Sequence, residues 1–186
     1  IGTVSGTSIQ SVETRLHVLI AHLKASNTTT DEQQRGDCAA NVMQSLNAQF
    51  SAMDNFILMG DLNVYRSTEQ AWVNLTDNTK SIYFNDPINQ VGNWSSNSNF
   101  AAYHSQSTRL SSSGCFSGGG MDDRFDFILC NTNIMQNEDY VQYLSGSYKT
   151  IGQSGTVFNK ALNDASNTSA PANVIDALFN SSDHLP

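Results

Sequence analysis

Three short apolar runs place the strongest limit on what this chain can fold into. They read RLHVLIAHL at 15–23, NFILM at 55–59 and RFDFILC at 124–130, and polar segments bound each of them. Runs this short favour β-strands over helices, which usually need about 10–12 residues. Their nearly continuous apolar character is typical of strands covered on both faces of a sheet. We therefore expect three buried strands of one sheet.

The segment between the first two runs has the pattern of an amphipathic helix. Thr30 and Gln33 have capping-box spacing, and Asp31 and Glu32 lie in the first turn, where the helix dipole favours negative charge. Apolar residues then recur at helical spacing. The stripe consists of Ala39, Val42, Met43, Leu46, Phe50 and Met53. A shorter run, VIDALF at 174–179, predicts a second helix, and residues 76–99 predict a long loop.

Length and charge bound the classes of function. The 186 residues fit one domain, and the net charge is −8, with 9 Lys+Arg against 17 Asp+Glu. A protein that covers many phosphates usually carries a basic face, so a broad nucleic-acid-binding surface is disfavoured. An enzyme that contacts one phosphate through a metal ion is still compatible with this charge. Few lysines among abundant Asn, Ser and Thr suggest an exported protein, extracellular or periplasmic.

Contacts with membranes and other proteins receive no support from the sequence. Every apolar run is far shorter than the roughly 18 residues of a membrane span, which predicts no stable membrane insertion. No obligate protein partner is evident.

Polar residues that can do chemistry stand at the ends of the predicted strands or within them. They are His22, Asp61, Asn63, Asp126, Asp183 and His184. Each has an ordinary explanation alone: Gly-Asp-x-Asn after a strand is often a turn, and Asp126 could pair with Arg124. Together they are harder to dismiss, because buried acids and imidazoles are costly unless they pair or bind a cation. Carboxylates with histidines suit metal-assisted phosphoryl transfer.

Four motifs in this order, HLKA, GDLNVY, DDRFDFIL and SSDHLP, resemble the endonuclease/exonuclease/phosphatase family. The resemblance runs from about residue 17 to residue 186. It implies an α+β fold, part of the four-layer α/β/β/α sandwich of the deoxyribonuclease I-like type. It also implies a divalent-metal-dependent phosphodiester hydrolase, with an endonuclease or related nuclease as the first expectation and DNA or RNA as the substrate.

The resemblance also assigns roles to residues. His22 would contact a non-bridging phosphate oxygen and stabilise the transition state. Asp61 and Asn63 would position the attacking water and the scissile phosphate, and in some members this aspartate is itself the base. His184 would be a general acid or base, and Asp126 would hold that imidazole in one tautomer.

Further implied roles concern the metal and the substrate. Asp183 would lie at a metal site for Mg²⁺ or Mn²⁺, with Ca²⁺ as a third option. Arg124, along with Asn63, would contact the substrate.

Two departures from the family pattern are also visible. The asparagine and the metal-binding glutamate of the family's N-terminal part have no counterpart before His17, and the family's last strand after His-x-Pro is absent. Residues 1–186 would then form an incomplete domain with weak metal affinity. The alternatives are a sphingomyelinase-like enzyme or other phosphatase, or a non-catalytic binding module on the same scaffold.

Overall fold

A computed structural model describes residues 13–136 and 140–186, and it confirms a mixed α+β fold. The three apolar runs form strands, and a further two-residue strand joins them. The strands are β1 (Leu16–His22), β2 (Asn55–Asp61), β3 (Phe84–Asn85) and β4 (Asp126–Asn131). The helices are α1 (Thr29–Gln49), α2 (Gln70–Leu75), α3 (Thr132–Gln136) and α4 (Ala172–Ser181), with a 3-10 helix at Ser98–Tyr103.

The four strands form one mixed sheet in the order β1-β2-β4-β3. β1 and β2 are parallel, and the intervening helix α1 supplies the long crossover connection that a parallel pair needs. β4 is antiparallel to both β2 and β3. The ends of β1 and β2 that carry polar residues therefore meet the beginning of β4.

Helix α1 begins two residues earlier than the capping-box pattern predicts. The cap is Thr28, whose hydroxyl accepts the N–H of Asp31 at 3.2 Å. The predicted apolar stripe is buried at Ala39, Met43 and Leu46. The helix ends at Gln49, so the part of the stripe beyond it was wrongly assigned to the helix and is exposed.

The main core lies on the side of the sheet that α1 and α2 cover. Its centre is an aromatic cluster of Trp72, Trp94 and Phe127, with ring centroids 4.7–5.3 Å apart. The opposite side of the sheet is much more open. Val18, Ile20 and Ile128 lie there, and Ile20 is 82% exposed.

Gly60 allows β1 and β2 to approach closely near the polar end of the sheet. Its φ is +128°, and an added Cβ would lie 2.1 Å from the carbonyl oxygen of Ala21. Only glycine adopts this backbone conformation without strain. The residue therefore sets the spacing of the two strands just before they end.

A smaller apolar cluster anchors the last residues of the chain. The predicted VIDALF helix lies within α4 and packs through Ile175. The cluster comprises Met121, Val157, Leu162, Ile175 and Leu185. Burial of Leu185 fixes the position of its neighbour His184. Among the described residues, no helix has the length and apolar character needed to cross a membrane.

Candidate functional site

The register of the sheet places three of the predicted site residues in one row. His22 of β1 is paired with Asp61 of β2, which is paired in turn with Asp126 of β4. Directly opposed residues on neighbouring strands project from the same face. One end of the sheet thus carries an exposed imidazole beside two carboxylates, although the three residues are far apart in sequence.

His184 reaches this row from the C-terminal segment. Gln106 forms bridges with both His184 and Asp123, so residues 105–107 lie between the C-terminal segment and the chain that leads into β4. Thr108 adds two further bonds: its N–H donates to the carbonyl of Asp183 at 3.0 Å, and its hydroxyl donates to that of Ser182 at 2.8 Å. The SSDHLP motif is held by these bonds.

Asp126 and His184 form the closest pair of the site. His184 Nδ1 lies 2.8 Å from Asp126 Oδ2, as the predicted tautomer-holding role requires. Burial alone would lower the pKa of His184, but the hydrogen bond and charge of Asp126, followed by the charge of Asp61, raise it overall. The imidazole is thereby stabilised in its protonated form.

Asp61 lies between the two histidines. Its Oδ2 is 3.5 Å from His22 Nε2 and 3.9 Å from His184 Nε2. Burial, followed by repulsion from Asp126, raises the pKa of Asp61 above its usual value. His22 is the open member of the group, because its side chain is 75% exposed. An acid with raised proton affinity therefore faces one accessible imidazole, His22, and one whose protonated form is stabilised, His184.

Asn63 supports Asp61 rather than facing solvent. Its N–H donates to Asp61 Oδ1 at 2.9 Å, and its Nδ2 donates to the carbonyl of Leu23 at 3.1 Å. The residue is buried and has a left-handed φ of +49°, which asparagine tolerates better than most residues. Asn63 thus ties the ends of β1 and β2 together and orients the Asp61 carboxylate.

Asp183 was predicted as a metal ligand. Its Oδ2 accepts the N–H of Ser117 at 2.7 Å, so the carboxylate is engaged with the 109–118 loop. Burial opposes ionisation of Asp183, but the Ser117 N–H and other bonds lower its pKa overall.

Arg124 was predicted to contact substrate, but it lies in the core. Its guanidinium is fully buried and forms two 2.9 Å bonds with the carboxylate of Asp86. A substrate cannot reach it there. The short run DDRFD gives no indication of this, because Arg124 and its partner Asp86 are distant in sequence.

Two buried residues near the site were not predicted from the sequence. Ser105 is buried, and its hydroxyl donates to Asp126 Oδ2 at 2.6 Å. His104 is also buried, with Nε2 2.9 Å from the carbonyl oxygen of Trp94. Burial lowers the pKa of His104. The polar stretch YHSQST has no apolar periodicity from which either position could be predicted.

The donors present do not assemble a metal site by themselves. Across residues 13–136 and 140–186, no group of three or more His, Cys, Asp or Glu side chains is arranged to hold a metal ion. The carboxylates of Asp126 and Asp183 are already bonded to His184 and Ser117. The described residues therefore show no ready-made set of metal ligands at this end of the sheet.

Comparisons with known proteins leave the family resemblance without independent support. No protein-family model matches the chain, and searches of curated proteins and of solved structures likewise return no match. Any assignment of function therefore depends on the row His22–Asp61–Asp126 and on the contact of His184 with it.

Proposed function

We propose that this chain carries the catalytic face of a phosphodiester hydrolase, first of all an endonuclease acting on DNA or RNA. One observation carries the proposal: two imidazoles and two carboxylates converge at one sheet end, with Asp61 within 4 Å of both histidines. Hydrolysis of a phosphodiester needs a base for water, an acid for the leaving oxygen and a donor to the phosphate.

Each of these roles suits one residue of the group. Asp61, whose pKa is raised, accepts the proton of the attacking water. The imidazolium of His184, held by Asp126, donates a proton to the leaving oxygen as the bond between phosphorus and that oxygen breaks. His22, the exposed imidazole, donates to a non-bridging oxygen and offsets the charge that develops on the phosphate.

The finer fold assignment also belongs to this proposal. We propose that the sheet is one half of a four-layer α/β/β/α sandwich of the deoxyribonuclease I-like type. The support is the open apolar face with Val18, Ile20 and Ile128, since packing of a second sheet would bury such a face. Export to the extracellular space or periplasm is proposed from composition alone.

We assign no step to a divalent cation, because the described donors do not form a site for one. Mg²⁺, Mn²⁺ and Ca²⁺ remain the cations to test. Titration calorimetry of the folded chain with Mg²⁺ and Mn²⁺ should show weak binding or none. Binding in the micromolar range would contradict this expectation.

The activity is tested on supercoiled plasmid DNA and bis-p-nitrophenyl phosphate, with and without each cation. His184→Ala and Asp61→Asn should each lower the rate by about 10²-fold or more, as expected for loss of a proton-transfer group. His17→Phe is the matched control, because His17 stacks on Phe56 and lies on the other face of β1. It should leave the rate unchanged.

Two outcomes would contradict the proposal in different ways. A folded chain that hydrolyses neither substrate under any of these conditions would refute catalysis and favour the binding module. Cleavage of sphingomyelin or of a phosphomonoester, with plasmid DNA left intact, would refute the endonuclease assignment and retain the hydrolase.

A further inference from the structure

The hydroxyl of Ser105 lies directly behind Asp126, and its hydrogen bonds fix the direction in which its proton points. Its oxygen accepts the N–H of Phe125 at 3.3 Å and that of Asp126 at 3.2 Å. These two donors occupy the lone pairs of the hydroxyl. Its proton therefore points to Asp126 Oδ2, only 2.6 Å away.

The backbone of Ser105 joins the two segments that carry the pair. Its N–H donates to the carbonyl of Asp123 at 2.8 Å, just before β4. Its carbonyl accepts the N–H of Leu185 at 2.8 Å, just after His184. Ser105 is 2% exposed, so it acts on the pair from behind and does not contact substrate.

One carboxylate oxygen serves both neighbours. Asp126 Oδ2 accepts from Ser105 at 2.6 Å and lies 2.8 Å from His184 Nδ1. Two donors share the negative charge of that oxygen, and the serine also prevents the carboxylate from rotating away from the imidazole. With Nδ1 fixed toward Asp126, the ring directs Nε2 toward Asp61.

We propose that Ser105 is a positioning residue of the site: its hydroxyl holds Asp126 so that His184 keeps Nδ1 on the carboxylate and Nε2 on the reacting side. The effect of this role on catalysis rests on the proposed function, in which His184 donates a proton to the leaving oxygen. The positioning itself can be measured on the folded chain without any substrate.

The test follows the His184 imidazole by NMR as a function of pH in the wild-type chain and in Ser105→Ala. Loss of the hydroxyl frees the Asp126 carboxylate to turn away from His184, so the imidazolium loses part of the stabilisation that this carboxylate provides. The titration midpoint should fall by about half a pH unit, a roughly threefold change in the ionisation constant. In the hydrolysis assay, kcat should fall about tenfold with little change in KM.

Three further variants make the result specific. Ser105→Thr restores the hydroxyl and should bring the midpoint back toward the wild-type value. Ser105→Cys keeps the side-chain size but offers only a weak donor, so it should shift the midpoint downward as alanine does. Ser107→Ala is the matched control, because its hydroxyl donates to the carbonyl of Ser117 and not to Asp126. It should leave the midpoint unchanged.

The outcomes separate this inference from the proposed function. A wild-type chain that hydrolyses phosphodiesters, with the same His184 titration in wild type, Ser105→Ala and Ser105→Cys, overturns the role of Ser105 alone. A threonine variant that titrates like alanine overturns it as well. An inactive wild-type chain with the expected shifts refutes the hydrolase and retains the positioning.

Discussion

Replacing Asp86 by Asn should destabilise the fold severely, because it leaves the buried guanidinium of Arg124 without a counter-ion. The side chains of Arg124 and Asp86 are 0% and 2% exposed, and both carboxylate oxygens accept from the guanidinium at 2.9 Å. An asparagine offers one carbonyl oxygen and turns an NH₂ group toward the other donor. The remaining partners, Gln90 O at 3.2 Å and Tyr148 Oη at 3.4 Å, are neutral and more distant.

The size of the effect follows from this burial. Removal of one partner from a buried ion pair typically costs about 3–5 kcal/mol. A domain of this size is stable by about 5–15 kcal/mol, so the variant would lose roughly a fifth or more of its free energy of unfolding. With a urea m-value of about 2 kcal/mol per M, the unfolding midpoint should fall by roughly 1.5–2.5 M.

Urea denaturation followed by circular dichroism measures this midpoint. Lys160→Met is the control, because it removes a partner from the exposed Lys160–Asp164 pair, and its midpoint should not change measurably. A loss below about 1 kcal/mol in Asp86→Asn, the range of surface ion pairs, would refute the assumption that Arg124 depends on Asp86 for its charge.

Two more substitutions test other features of the structure. Gly60→Ala places a methyl group 2.1 Å from the Ala21 carbonyl oxygen and should lower the free energy of unfolding in urea by about 2 kcal/mol or more. Gly114→Ala is the control, because nothing lies within 4 Å of the added methyl group, and it should cost much less. Equal losses in the two variants would contradict the close approach of β1 and β2 at Gly60. Burial, aided by the charge of Asp122, raises the pKa of Asp123 from 3.8 to about 6. The folded chain then binds more protons than the unfolded chain between these values, so Asp123 lowers stability as pH rises through that window. Asp123→Asn should raise the free energy of unfolding at pH 7 by about 1 kcal/mol or more, and this gain should vanish near pH 3.5. The same gain at both pH values would contradict burial as the cause of the raised pKa of Asp123.

The strands were predictable because their signal is local. The runs NFILM and RFDFILC are too short and too apolar for surface helices, and both lie largely within strands β2 and β4. The exact ends of the strands were harder to predict from the sequence. Arg124 and Phe125 look like part of the last apolar run, but β4 begins at Asp126. The end of α1 at Gln49 was missed for the same reason, since the apolar spacing continues past the last helical turn.

The site was only partly predictable, because its assembly depends on pairing between distant segments. His22, Asp61 and Asp126 could be singled out by residue type and by position at the ends of apolar runs. Their alignment in one row depends on strand register, and a slip of one residue would turn side chains to the other face. Ser105 lies in a stretch with no such pattern, and its importance follows from contacts with β4 and with Leu185.

The bridging position of residues 105–108 has a consequence for the order in which the site forms during synthesis. His22 and Asp61 belong to β1 and β2, which are synthesised early. His184 is attached through segment 105–108, and it is made after every other residue of the group. A domain generally folds as a unit, so the acid–base pair can form only after the C-terminal segment has been made and has docked on residues 105–108. Completion of the site is therefore a late event in the life of each molecule.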